Sequence, residues 1–62
     1  MDIFAMGAEL AAKCQHGELT RADLMQLSYE FLVKSMRSEN AEERARLLDM
    51  AVAYDYARHL TR

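Results

Sequence analysis

The chain has no proline, only two glycines and a single cysteine in 62 residues. With no proline, and glycine only at positions 7 and 17, little interrupts long helical stretches. The lone cysteine, Cys14, excludes an internal disulfide. A structural zinc site needs about four Cys or His ligands at close spacings, which Cys14, His16 and His59 do not supply. No apolar run approaches the roughly 18 residues of a membrane span. Positive charge is not in surplus: eight Lys and Arg against ten Asp and Glu leave a net charge of −2. A sequence-independent grip on nucleic acid needs a clustered basic face, which this balance argues against. The opening Met1-Asp2 has no basic leader segment and no glycine at position 2. Neither a secretory signal nor a myristoyl anchor is expected, and the cytoplasm is the expected compartment.

What is present points to helices. The composition is 52% hydrophobic and 29% charged, the balance of a globular chain rather than a disordered one. Ala, Leu, Met, Glu and Arg, the strong helix formers, dominate. Alternating patterns do not persist, so no strand is expected. At this length there is room for one domain, residues 1–62, and one core. A chain of about 60 residues buries only about 60% of the surface its unfolded form exposes, so oligomerisation or docking is the expected additional support.

Three helices follow from spacing and caps. The first covers about Asp2 to Gln15, with Ile3, Met6, Leu10 and Cys14 at helical intervals and small Gly7 and Ala11 between them. Its polar side carries Asp2, Glu9, Lys13 and His16, with Glu9 and Lys13 spaced for an ion pair. Gly17 suits the left-handed residue that stops a helix. The second runs from Arg21 to about Arg37. Thr20 and Asp23 form a capping box with a shortened acid, and Leu19 and Leu24 occupy the hydrophobic-staple positions. Its solvent stripe, Asp23, Gln26, Glu30, Lys34 and Arg37, is acidic first and basic last, which complements the helix dipole. The third covers about 41–60, capped by Asn40 with Glu42 and Glu43 in its first turn and Arg58 and His59 near its end. Joints this short bring antiparallel neighbours together, so the expected fold is all-α, a small up-down-up three-helix bundle.

The apolar surface exceeds what one side of a bundle needs. On helix 2, Leu24, Met25, Leu27, Tyr29, Phe31, Leu32, Val33 and Met36 spread around all but the charged stripe. Helix 3 carries two stripes: Leu47, Met50, Ala51, Tyr54 and Ala57, and separately Ala45, Leu48, Val52 and Tyr56. A single-sided bundle helix needs an apolar arc of little more than about 100°. A central helix 3 touching two neighbours would absorb both stripes. Otherwise one faces a partner, most simply a second copy in a two-fold homodimer. Met and Tyr suit such a surface, since Met adapts its shape and Tyr joins apolar area to a polar tip. Ala45, Leu48, Val52, Tyr56, Tyr29 and Met36 are the interface candidates.

Chemistry is sparse. Cys14 lies on the apolar stripe, with His16 pointing elsewhere, which suits a buried inert thiol better than a nucleophile. Asp55 and His59, one turn apart, are placed for a solvated contact. As a reading helix, helix 3 would present Glu42 and Glu43 to phosphates that repel them. A hairpin that holds folded RNA on helix 1 would have only Lys13 as a cation. The one basic concentration, Lys34, Arg37, Arg44 and Arg46, is interspersed with Glu39, Glu42 and Glu43, so a salt-bridged surface is expected there. The sequence therefore predicts a non-enzymatic protein-protein interaction module, a regulator, adaptor or inhibitor that uses no cofactor or metal. A nucleic-acid-binding regulator using that basic cluster is the alternative.

Overall fold

A computed structural model describes residues 2–61 and contains three helices among them, with no strand: α1 (Ile3–Gln15), α2 (Arg21–Arg37) and α3 (Ala41–Leu60). Each begins where a side chain can satisfy the otherwise unpaired first-turn N–H groups. Asp2, expected inside the first helix, instead caps it, its carboxylate accepting from the N–H groups of Phe4 at 3.0 Å and Ala5 at 3.1 Å. The Thr20–Asp23 capping box is reciprocal, with both bonds at 3.0 Å. The Asn40 side chain accepts from the N–H of Glu43 at 3.0 Å.

Gly17 takes φ +81°, and the two bonds of a Schellman motif close around it. The Glu18 N–H donates to the Lys13 carbonyl at 2.9 Å, and the Gly17 N–H to that of Cys14 at 3.1 Å. Only this left-handed residue lets α1 end and the chain reverse within five residues. The joint after α2 has no glycine. Ser38 and Asn40 take extended backbone there, and the Ser38 hydroxyl donates to the Asn40 carbonyl at 3.3 Å.

The three helices run up, down and up, with α3 in the middle. Gly7 lies against Ala53 and Tyr56, and Cys14 and Gln15 sit beside Leu60 and Thr61, so α1 runs parallel to α3. Ser28 meets Ala51, and Leu24 packs on Ala57, so α2 is antiparallel to both. α3 packs along each neighbour, whereas α1 and α2 barely touch. The result is an open layer of 36 × 21 × 16 Å rather than a closed three-sided stack.

The core is small. Leu10, Leu24 and Ala57 form its centre, with Met6, Cys14, Leu19 and Tyr54 packed against them. Among the described residues, four of the six buried hydrophobic ones are alanines (Ala11, Ala51, Ala53 and Ala57), and Leu24 is the one large side chain fully removed from solvent. Alanine brings little apolar area inward, on the order of a quarter of what a buried leucine contributes at about 25 cal/mol per Å². What it permits is close approach of helix backbones. The expected Glu9–Lys13 ion pair does not form within 4 Å.

A candidate apolar interface on the α2–α3 face

Two parallel rows on α2 define the site. Leu24, Ser28, Phe31 and Ser35 recur at intervals of four, three and four and face α3. Leu24 and Ser35 are buried, the latter 3% exposed, while Ser28 and Phe31 are partly so. The Ser28 hydroxyl donates to the Ala51 carbonyl across the helix interface at 2.9 Å. The Ser35 hydroxyl is satisfied within its own helix by the Leu32 carbonyl at 2.7 Å. Phe31 stacks on Tyr54 with ring centroids 5.4 Å apart, and the Lys34 ammonium lies 5.3 Å from the Phe31 centroid. One position further along runs a row with the same spacing, Met25, Tyr29, Leu32 and Met36. All four are exposed, Met36 to 76%. The bulkier and more apolar row is thus the one that α2 turns outward.

α3 adds to this outer row. Of the stripe Ala45, Leu48, Val52 and Tyr56, the first three face solvent, with Leu48 and Val52 each 45% exposed. Leu32, Leu48 and Val52 line an open groove of about 290 Å³ with Ser28, Ala51 and Asp55. Tyr56 separates from the stripe and packs on α1. Its ring meets Phe4 edge-on at 5.2 Å and lies so close to Gly7 that a Cβ there would stand 2.5 Å from Tyr56 Cδ2. α3 is therefore central enough to use Tyr56 internally, but not Leu48 or Val52. Phe4, absent from the expected interface, is exposed and extends the apolar surface onto α1 through Tyr56.

The other stripe of α3, with Leu47, Met50, Ala51, Tyr54 and Ala57, is partly or fully buried. Phe31 takes up Tyr54, and the Leu10–Leu24 cluster takes up Ala57. All six interface candidates named from the sequence are accounted for: Ala45, Leu48, Val52, Tyr29 and Met36 are exposed, and Tyr56 is half-buried against α1. Sequence reasoning did not single out Ser28 and Ser35. The signal was their repeat with Leu24 and Phe31, one residue behind the bulky row.

The basic residues do not gather. Lys34 and Arg37 border a shallow hollow with Ser38, Glu39, Asn40, Glu43 and Leu47, and Arg46 borders another with Glu42, Glu43 and Met50. Arg44, two residues before Arg46 on one helix, projects about 160° away from it. The expected salt bridges with Glu39, Glu42 and Glu43 do not form within 4 Å among the described residues.

Elsewhere, Asp55 receives Arg58 at 2.9 Å and stands 3.8 Å from His59 Nδ1, on the exposed end of α3. Cys14 is half-buried on the core cluster. Among the described residues, no three His, Cys, Asp or Glu side chains converge as a metal site requires, and no helix is long and apolar enough to cross a membrane. Compared with models of known families, with curated proteins and with solved structures, the chain matches none.

Proposed function

We propose that this chain is a cytoplasmic, non-enzymatic protein-protein interaction module, working as a regulator, adaptor or inhibitor by presenting the outer α2–α3 face to a helical partner, a second copy included. One observation carries the reading. Of the two rows on α2, the bulkier and more apolar one is turned outward. Two of the four residues on the inner row are serines, Ser28 and Ser35 alternating with Leu24 and Phe31, while Met25, Tyr29, Leu32 and Met36 face solvent beside Leu48 and Val52. Contiguous apolar patches of this kind on small soluble proteins mark interaction sites. The spacing of four, three and four on α2 is that of a seam into which another helix inserts its side chains.

Val52→Glu is the direct test, because Val52 is exposed in the single chain and central in the face. The unchanged chain should form a complex, with itself or with a protein of its host, that the variant loses while keeping its helical circular dichroism. Two results would overturn the reading: loss of the helical signal, or a wild type that binds nothing at high micromolar concentration.

A further inference from the structure

We infer that the outer face is covered by a second copy of this chain, placed by a two-fold axis perpendicular to the helices so that α2 lies antiparallel on its counterpart and α3 on its counterpart. The inference rests on the reading of this face as an interface and names its occupant and geometry.

Charge at the ends of the face selects the arrangement. Arg44 lies one turn before Leu48 on α3 and Asp55 two turns after it, so both border the same row. Asp55 lines the groove itself. The midpoint between them falls between residues 49 and 50. On α2 the exposed row runs from Met25 to Met36, with its midpoint between residues 30 and 31, and the charged stripe of Asp23 and Arg37 lies on the other side of the helix. The Ser28–Ala51 bond fixes the antiparallel register of the two helices, which places residues 30 and 31 level with residues 49 and 48, about one residue from that midpoint. One axis at that height therefore serves both helices. It sets Arg44 opposite Asp55 of the partner subunit, twice by symmetry.

The alternative axis, parallel to the helices, would preserve heights and lay α3 on the other copy's α2. That arrangement leaves Arg44 and Asp55 over the apolar α2 row of the other copy, where neither meets an opposite charge. Between the charged ends the exposed rows, Met25 to Met36 on α2 and Ala45 to Val52 on α3, hold apolar side chains, so self-pairing desolvates no charge there.

The test uses the reach of a helix. Arg44 and Asp55 are eleven residues apart on α3, about 16 Å at 1.5 Å per residue, so they cannot contact each other within one chain. Arg44→Asp alone sets acid on acid across the axis, and Asp55→Arg alone sets base on base. Each should raise the dimer dissociation constant about tenfold or more, since two contacts turn from attraction to repulsion. In an equimolar mixture of the two variants, both contacts of the heterodimer join opposite charges. The introduced carboxylate at position 44 of one chain meets the introduced guanidinium at position 55 of the other, and the unchanged Arg44 meets the unchanged Asp55. Sedimentation equilibrium should then show dimer restored to within about threefold of wild type. The loss of the Asp55–Arg58 contact persists in the mixture, so it cannot produce the recovery.

A mixture no tighter than either variant alone overturns the geometry. A wild type that stays monomeric at high micromolar concentration overturns self-pairing. If that monomer still binds a host protein in a way that Val52→Glu abolishes, the face remains an interface and only the second copy as its occupant is lost.

Discussion

The Ser28 hydroxyl donates to the Ala51 carbonyl at 2.9 Å, joining α2 to α3 where both helices carry a small side chain. The Ala51 carbonyl belongs to a helix that already uses it, so the bond itself adds little. Its meaning is distance: a hydroxyl reaches a neighbouring backbone only where no larger side chain intervenes. Ser28→Ala should therefore cost about 1 kcal/mol or less. Ser28→Leu should cost about 1–3 kcal/mol, because the added carbons force the helices apart. Urea titrations followed by circular dichroism separate the two.

Gly7 plays the corresponding part between α1 and α3. Its missing side chain leaves room for the Tyr56 ring, and a Cβ would also stand 3.3 Å from the Ala53 carbonyl. Gly7→Ala gains about 1 kcal/mol of helix propensity but drives a methyl into the ring, at about 1–3 kcal/mol. Net destabilisation of about 1 kcal/mol is expected, with a changed near-ultraviolet tyrosine signal. A more stable variant with an unchanged tyrosine signal would show that α1 does not seat on α3 in this way.

Gly17 offers a contrasting case, with open space around it and a positive φ. Gly17→Ala should destabilise by about 1–2 kcal/mol from backbone strain alone. Thr20→Ala and Asn40→Ala should each cost about 1 kcal/mol by removing a cap bond. Thr20 and Asn40 lie at opposite ends of α2, so a variant that combines these two changes tests whether the losses add.

These caps and stops were legible in the sequence because they are local. Thr20 with Asp23, Asn40 with Glu43, and Gly17 after Gln15 need only their own few residues, and the helices begin and end there within one residue of expectation. The interior face of α2 was not legible. Leu24, Ser28, Phe31, Ser35 and Met25, Tyr29, Leu32, Met36 have identical spacing, and hydrophobicity alone favours burying the second. Close backbone approach on Ala51 decides for the first, and that depends on a residue 23 positions away. Tyr56 was misplaced in the exposed row for a similar reason, since its place is set by the absence of a side chain at Gly7. Of the candidate interface, Leu48, Val52, Tyr29 and Met36 were identifiable from surplus apolar area, whereas Phe4 was not, because α1 read as one-sided.

The outer and inner alanine and valine positions of α3 should respond oppositely to substitution. Ala53 is fully buried and Val52, its neighbour, is half out. Ala53→Leu should destabilise the fold by about 1–3 kcal/mol through overpacking. Val52→Glu and Leu48→Glu should change single-chain stability by about 0.5 kcal/mol, as exposed positions do. Denaturation at a concentration low enough to populate monomer checks this difference.

The most direct measurement of the central claim is sedimentation equilibrium of the unchanged chain and of Val52→Glu, from low to high micromolar concentration, with helicity recorded alongside. Self-pairing through the outer face predicts a wild-type mass that rises from one chain to two, and a fully helical variant that stays at one chain throughout. A wild type and variant that are both helical monomers over the whole range would contradict it.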